Sequence, residues 1–434
     1  MNETEEEVVR GRDFGFLMFL TMLNVMNFVD RQLLGSFANW IVPDLGLTNT
    51  EFALLTGLVF IFFYSFMGLF MGALADMVNR TRLIAAGLAL WSVLTALSGM
   101  ARGFATLALP RMFIGVGESI MTPTAMSLLS DRFPSKWLGF ASGVYYMGVP
   151  IGIAASLFIV AYLEPLLGWR GCFYLLGGIG IVLAVVMLFM KDTPRKHEMK
   201  SDEDGNKPSF ADILRTLLQA LKQSPALTMT IAGGVSFHFI LGAATFDQLW
   251  YVQERGFDRS EIAEATAWLS FFGGILGNLF GGIGGDLFLR RTGMGRPMFL
   301  FWILLVLSPI AVAYRLVPPD SIWFWLGVFF GFFQLGCFYG PTFSTIQELV
   351  PPRIRGTVVA FYILTLNFVG LGIGVTAGGI VIDYLKAAGT ENPYTLTLFT
   401  FTLISLIAVP LFYFAGRRFD RDREALYASE NAAG

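Results

Sequence analysis

The sequence predicts an all-α membrane protein of twelve transmembrane helices, arranged as two pseudo-symmetric six-helix bundles. Three observations carry this. Of 434 residues, 55% are hydrophobic and only 14% charged, with a mean hydropathy of +0.63. Soluble domains carry about 25% charged residues and cannot hide so much apolar surface from water. Apolar runs of membrane length recur along the whole chain. Finally, the loop GALADMVNRTR at 72–82 returns 210 positions later, in weaker form, as GGIGGD at 281–286 followed by Arg290 and Arg291. A large soluble enzyme with buried helices would show charged amphipathic faces along most of them, and those faces are missing.

Spans are read near 14–40, 51–74, 83–101, 105–129, 138–162, 171–190, 226–252, 260–286, 297–314, 321–347, 357–384 and 394–415. About 20 helical residues cross about 30 Å of hydrocarbon, and these segments are long enough. An even number of spans places both termini on one side of the membrane. Lys and Arg select the side. Arg80, Arg82, Arg132, Lys136, Lys191, Arg195, Lys196, Lys200, Lys207, Arg215, Lys222, Arg290, Arg291, Arg296, Arg353 and Arg355 fall in terminal-side loops, joined by Arg417, Arg418, Arg421 and Arg423 of the tail. The opposite side has only Arg102, Arg170, Arg255, Arg259, Arg315 and Lys386. The positive-inside rule then puts both termini in the cytoplasm.

Residues 191–224, with KDTPRKHEMKSDEDGNK and a short amphipathic stretch from Phe210 to Leu221, read as a cytoplasmic linker. It separates an N-terminal bundle (1–190) from a C-terminal one (225–434). The turn FPSKWLG at 133–139 is matched by VPPRIRG 217 residues later, a second mark of duplication. Parallel six-helix repeats are one of the two common transporter plans. The N-terminus, with Glu3, Glu5, Glu6 and Glu7, lacks a signal-peptide pattern, so no cleavage is expected. Cys172 and Cys337 are too few for a disulfide framework or metal site and read as packing residues. Glycines crowd the fifth, eighth and eleventh spans, where close helix contacts can serve as sliding surfaces.

Charges inside the spans are the candidate site. Asp30 and Arg31 sit near the middle of the first span, Glu118 near the middle of the fourth with Arg111 about two turns away, and His238 near the middle of the seventh. Each costs at least about 2.5–3.5 kcal/mol at such depth, so the lowest-cost arrangement faces a watery cavity with opposite charges in reach. At about 100° per residue, Asn24, Asn27 and Arg31 form one polar stripe and Asp30 its edge; Arg111, Glu118 and Thr122 form another. His238, Gly242 and Thr245 share a face of the seventh span, while Asp247 points away. Arg31, Asn24, Asn27, Arg111, Glu118, Thr122 and His238 are the expected substrate contacts, with Asp30 and Glu118 as proton carriers. The competing expectation is a set of buried ion pairs that only fixes helix register.

A second constellation lies at the terminal-side ends of the spans. Asp76 and Asp286 close their spans just before a turn, where each carboxylate can pair with Arg80 or Arg290 and face a helix N-terminus. Asp131 with Lys136, and Glu348 with Arg353 and Arg355, repeat the acid–base pattern. These residues are expected to form a cytoplasmic gate that closes in one transport state.

The GALADMVNRTR loop, its weaker copy and RMFIGVGE at 111–118 together resemble the major facilitator superfamily across essentially the whole chain. NFVDRQLLG at 27–35 and GESIMTPT at 117–124 resemble the Spinster family of lysolipid and sphingolipid transporters, in particular its bacterial homologues. Asn79 stands where the loop motif usually has Gly, and Ile120 interrupts a small polar run common after the Glu. The resemblance implies alternating access by rocking bundles, often proton-coupled, moving an amphiphile with a phosphate head across the cell membrane, the inner membrane in a bacterium. It implies no cofactor beyond protons as coupling ion. A lipid-like small molecule and the bilayer are the expected partners, nucleic acid is not, and a monomer is expected. Arg31 offers a bidentate fork for phosphate. The alternative is a proton-coupled drug or organic-anion exporter of the same superfamily. An intramembrane enzyme is disfavoured, because the two histidines, His197 and His238, stand apart and neither HExxH nor GxSxG occurs.

Overall fold

The computed structural model describes residues 9–195, 210–351 and 354–433. The acidic residues Glu3 to Glu7, linker residues 196–209 and Arg353 lie outside the described residues, as do the side chains of Asp76 and Lys136. Among the described residues, 11 helices are long and apolar enough to cross a membrane. One of them, Trp137–Leu188, runs for 52 residues. It holds two spans, because Gly168 interrupts it with φ 66° and ψ 166°. That left-handed conformation is open to glycine without a Cβ penalty, and it reverses the chain between the fifth and sixth spans. The architecture is thus the twelve-helix, two-bundle plan of a multi-pass membrane protein.

Helix starts follow the local sequence. Thr48 accepts from the Glu51 amide at 3.1 Å while Glu51 accepts from the Thr48 amide at 2.9 Å, a reciprocal cap. Asn79 caps the third span through the Arg82 amide at 2.9 Å, and Ser224 caps the seventh through the Leu227 amide at 3.2 Å. Asp258 caps the eighth through Ser260 and Glu261, and these backbone N–H groups hold its carboxyl below the usual range. Several spans are broken helices. The second is split at Gly57 into Asn49–Thr56 and Leu58–Met77, whereas the fourth, Phe104–Arg132, keeps helical dihedrals through Ser119 and Ile120. The eighth and eleventh contain π-helical turns at Phe280–Gly284 and Leu366–Ile373.

The chain divides into two compact units. One contains Met1–Leu47 and Val59–Ser201, the other Thr48–Leu58 and Asp202–Gly434. By sequence position residues 48–58 open the second span of the N-terminal bundle; in the structure they group with the second unit. The first unit buries Leu20, Leu23, Leu88 and Trp91, and the second buries Leu227, Phe338, Tyr362 and Phe412. Other apolar side chains, such as Phe62, Phe66 and Phe70 at one-turn spacing, stay about half exposed on an outer face suited to lipid.

Glycine sets a close backbone contact between helices. A Cβ on Gly277 of the eighth span would lie 2.2 Å from the Phe333 carbonyl oxygen of the tenth, whereas one on Gly282 would meet nothing within 4 Å. The backbones therefore touch at Gly277. Ala is favoured over Gly within a helix by about 1 kcal/mol, while overpacking costs about 1–3 kcal/mol. Thermal unfolding in detergent should show Gly277→Ala destabilised and Gly282→Ala neutral or stabilised. Equal midpoints for the two variants would remove the tight-contact account.

Candidate functional site: a buried charge cluster in the first unit

The first and fourth spans bring the predicted ionisable residues together. Arg31 donates from Nε and Nη2 to Glu118 Oε2, at 3.3 and 3.4 Å. The Glu118 side chain is fully buried, while 17% of the Arg31 side chain remains accessible. Aromatic rings seat the guanidinium, with Tyr64 at 4.2 Å, Phe28 at 5.0 Å and Phe60 at 5.3 Å. Such cation–π contacts contribute about 0.5–2 kcal/mol, more when desolvated. They hold a strong cation at the edge of a dry cluster without spending its N–H donors.

Arg111 plays a different part. Its Nη1 and Nη2 donate to the backbone carbonyls of Asp30 (3.3 Å) and Arg31 (2.9 Å), and its guanidinium lies 4.5 Å from the Phe60 ring centre. It braces the first span at the depth of the ion pair and adds positive charge beside both carboxylates. Asp30 is buried, and neither of its carboxylate oxygens makes a hydrogen bond. Trp91 stands beside it, its indole nitrogen short of a well-formed hydrogen bond. Glu118 Oε1 also lacks a partner. Unpaired buried acceptors are costly, so this cluster is not built for stability alone.

Towards the terminal side, Asn24 donates from Nδ2 to the Tyr145 carbonyl at 2.9 Å and packs against Gly148. Asn24 Oδ1 and Asn27 Nδ2 remain unpartnered and buried. Thr122 is half-buried beside Tyr145. It lies on Met121–Arg132, which continues Phe104–Glu118 with helical dihedrals at Ser119 and Ile120. His238 belongs to the second unit. Its Nδ1 pairs with the Gly234 carbonyl at 2.9 Å, its Nε2 meets the Tyr339 hydroxyl at 3.3 Å, and Gly370 packs against its Cβ.

The terminal-side arginines form denser networks than expected, and in the second unit the partners differ. Arg80 donates to Asp131, to Ser127 Oγ at 2.9 Å and to Asp192 Oδ1 at 3.3 Å; its backbone amide donates to Asp192 Oδ2 at 2.9 Å. Asp131 therefore pairs with Arg80; its expected partner Lys136 has a side chain outside the described residues. Arg195 ties the start of the linker down by donating to the Ala75 carbonyl at 2.8 Å. In the second unit Asp286 accepts from Arg296 Nε and Nη2, at 3.0 and 2.8 Å, and Glu348 also pairs with Arg296. The expected partners Arg290 and Arg355 are exposed. The reason is helix length. The eighth span continues through Gly285–Thr292, carrying Arg290 past the junction, so the equivalent of Arg80 is Arg296. Each is the first residue of the helix that follows its loop.

The sequence profile described as Major Facilitator Superfamily matches residues 20–375. The chain belongs to the Major Facilitator Superfamily. It is a membrane transporter, not an enzyme. Among superfamily relatives, an "MFS-type efflux pump" of Mycolicibacterium smegmatis is 26% identical over 412 residues, 93% of this chain and 92% of that one. The Arabidopsis thaliana protein called "Probable sphingolipid transporter spinster homolog 1" is 25% identical; the match covers 64% of this chain and 63% of the relative's length. A bacterial homologue of the human lysosomal transporter Spinster, solved in an inward-facing and unoccupied conformation, superposes with a TM-score of 0.80. It is 24% identical, and the match covers 95% of this chain and 99% of that one. The Spinster resemblance read from the sequence is thus matched by both relatives and fold.

Within this superfamily fold, several residues of the candidate site escape sequence reading. Phe60 and Tyr64 stand one turn apart, a signal available in the second span but diluted by its many aromatics. Trp91 and Tyr145 are uncharged residues in apolar spans, and nothing in the sequence singles them out. Asp192, the second residue of the charged run of the linker, reads as part of a solvated tether, yet it clamps Arg80.

Proposed function

We propose that this transporter moves an anionic amphiphile, of lysophospholipid or sphingosine-phosphate character, by proton-coupled alternating access, as a monomer with both termini in the cytoplasm. The observation that supports it most is the half-free Arg31: a guanidinium paired with a buried carboxylate, seated on aromatic rings and still accessible. A phosphate head group competes with Glu118 for the fork, since bidentate N–H donation suits both anions. The aromatic wall around the fork suits the apolar part of the ligand. Once the substrate takes Arg31, Glu118 is left buried without its cation and binds a proton, because an uncompensated buried carboxylate is far costlier than a neutral one. Asp30, brought close by the same helix turn, shares that proton. Substrate occupancy and protonation are thereby linked.

Transport of a fluorescent lysophospholipid into proteoliposomes, with and without a pH gradient, tests this. Wild type is expected to respond to the gradient, and Asp30→Asn to transport at a rate that no longer does. An unchanged gradient response in Asp30→Asn would remove this residue from coupling. A second reading, export of hydrophobic drugs or organic anions, is favoured by the near full-length match to an efflux pump. It predicts that such compounds, and not lysophospholipids, shift the unfolding midpoint of the purified protein.

A further inference from the structure

The last helix, Ala408–Ala433, sorts its charges by face as it runs past the end of the twelfth span. Ile407 and Phe414, two turns apart, are 53% and 52% exposed and mark the side suited to lipid. Arg421 follows two turns after Phe414, with Arg417 and Arg418 one turn before it. At about 100° per residue the three arginines continue the same stripe. All three are exposed, and among the described residues none of them has an ion pair. The acids of this helix are engaged off the stripe. Asp422 accepts from Ser224 Oγ at 3.1 Å and from the Ala226 amide at 2.7 Å, and Asp420 pairs with Arg423 at 3.3 Å. Glu424 is exposed one turn further out. The opposite face is packed, which fixes the rotation of the helix. A Cβ on Gly295 would lie 2.3 Å from Phe419 Cγ, and one on Gly416 would lie 2.8 Å from Met298 Cβ. At about 1.5 Å per residue the arginines stand about 5–10 Å beyond Phe414 along the axis, and a headgroup layer is about 5–8 Å thick.

We propose that Phe414, Arg417, Arg418 and Arg421 form a binding site for an anionic phospholipid of the leaflet on the terminal side, with its acyl chains along Ile407 and Phe414 and its phosphate on the arginines. Guanidinium forks match phosphate oxygens, and their long stems reach back toward the headgroup plane. Orienting the chain in the membrane requires only a number of basic residues on this side, whatever face they occupy. Here they occupy the lipid-facing stripe, and the acids are turned from it. A lipid held there braces the start of the tail and, through Asp422, the first turn of the seventh span. The site depends on the chain spanning a membrane, and not on which solute is carried.

Thermal unfolding of the purified full chain in detergent, titrated with short-chain phosphatidylglycerol, short-chain phosphatidylcholine or inorganic phosphate, tests it. Phosphatidylglycerol is expected to raise the midpoint saturably, and the other two to leave it in place. Arg421→Gln should raise the half-saturating concentration about fivefold, and Arg417→Gln, Arg418→Gln and Arg421→Gln together about a hundredfold. The single variant keeps the test open if the triple one does not fold. Arg12→Gln, Arg82→Gln and Lys191→Gln together remove three exposed charges from the first unit and should leave the titration unchanged. Arg31→Ala should still respond to phosphatidylglycerol. A wild-type titration curve in the tail variants, equal weakening by the first-unit variant, or an equal shift with phosphatidylcholine or free phosphate would overturn the site. Loss of the response in Arg31→Ala but not in the tail variants would move the lipid to the candidate transport site, and so would also overturn it.

Discussion

Replacing Arg80 with Ala is expected to destabilise the protein by about 3 kcal/mol, at the low end of the range for breaking a buried ion pair. The Arg80 side chain is 1% exposed, and its partners Asp131 and Asp192 are 15% and 22% exposed. Removing the guanidinium strands two carboxylates and the hydroxyl and carbonyl oxygens of Ser127 in a place where water reaches them only in part. The counterpart Arg296 is 14% exposed and its acids Asp286 and Glu348 are 52% and 31% exposed. Rehydration there offsets most of the loss, and Arg296→Ala is expected to cost about 1 kcal/mol or less. Arg80→Lys regains one ion pair but not the fan of donors, so it recovers less than half. Thermal unfolding in detergent reads all three, and proteolysis in the linker should quicken in Arg80→Ala, because Asp192 and the Thr193 carbonyl lose their bonds to the guanidinium. Similar small shifts for Arg80→Ala and Arg296→Ala would show that burial at this loop is not what sets its energetics.

The second large effect is expected at Arg31. Arg31→Ala should weaken binding of an anionic lysolipid by about 10- to 100-fold, the loss of about 1.5–3 kcal/mol in charge-assisted hydrogen bonds. It should also lower stability, because Glu118, with no exposed side-chain surface, loses its ion pair and must take up a proton to remain buried. The two effects separate in a double variant. Adding Glu118→Gln to Arg31→Ala replaces the stranded carboxyl with a neutral amide that needs no proton uptake, and should restore much of the stability while leaving binding lost. Arg31→Lys retains charge but not the planar fork or its seat on Tyr64, and should bind at least about tenfold more weakly. Titration of tryptophan fluorescence with the lysolipid, beside unfolding midpoints, gives both quantities. Undiminished affinity in Arg31→Ala would reject the head-group role outright.

Much of the architecture was legible because it depends on local composition. Segment length against bilayer thickness yields the spans, the doubled loops yield the two halves, and an ionisable residue in mid-span stands out because lipid makes it expensive. The same argument singled out Asp30, Arg31, Arg111 and Glu118 before any coordinates. Partner choice was less legible. Spacing between loop motifs suggested Arg290 for Asp286, but the eighth span runs through a π-turn and another helix before the chain turns, so Arg296 arrives instead.

What the sequence determined by itself is the solvent each residue is built for: lipid along the spans, water in the linker, and a buried polar setting for a handful of charges. Tertiary structure decided which of those charges meet, that Arg111 serves backbone carbonyls rather than carboxylates, and that Asp383 reaches residues 334 positions away. The physical reason is range. Transfer from water to hydrocarbon acts on each segment separately and leaves its mark in composition and period. Hydrogen bonds and ring contacts act over a few ångströms, between groups that only the packed fold brings together.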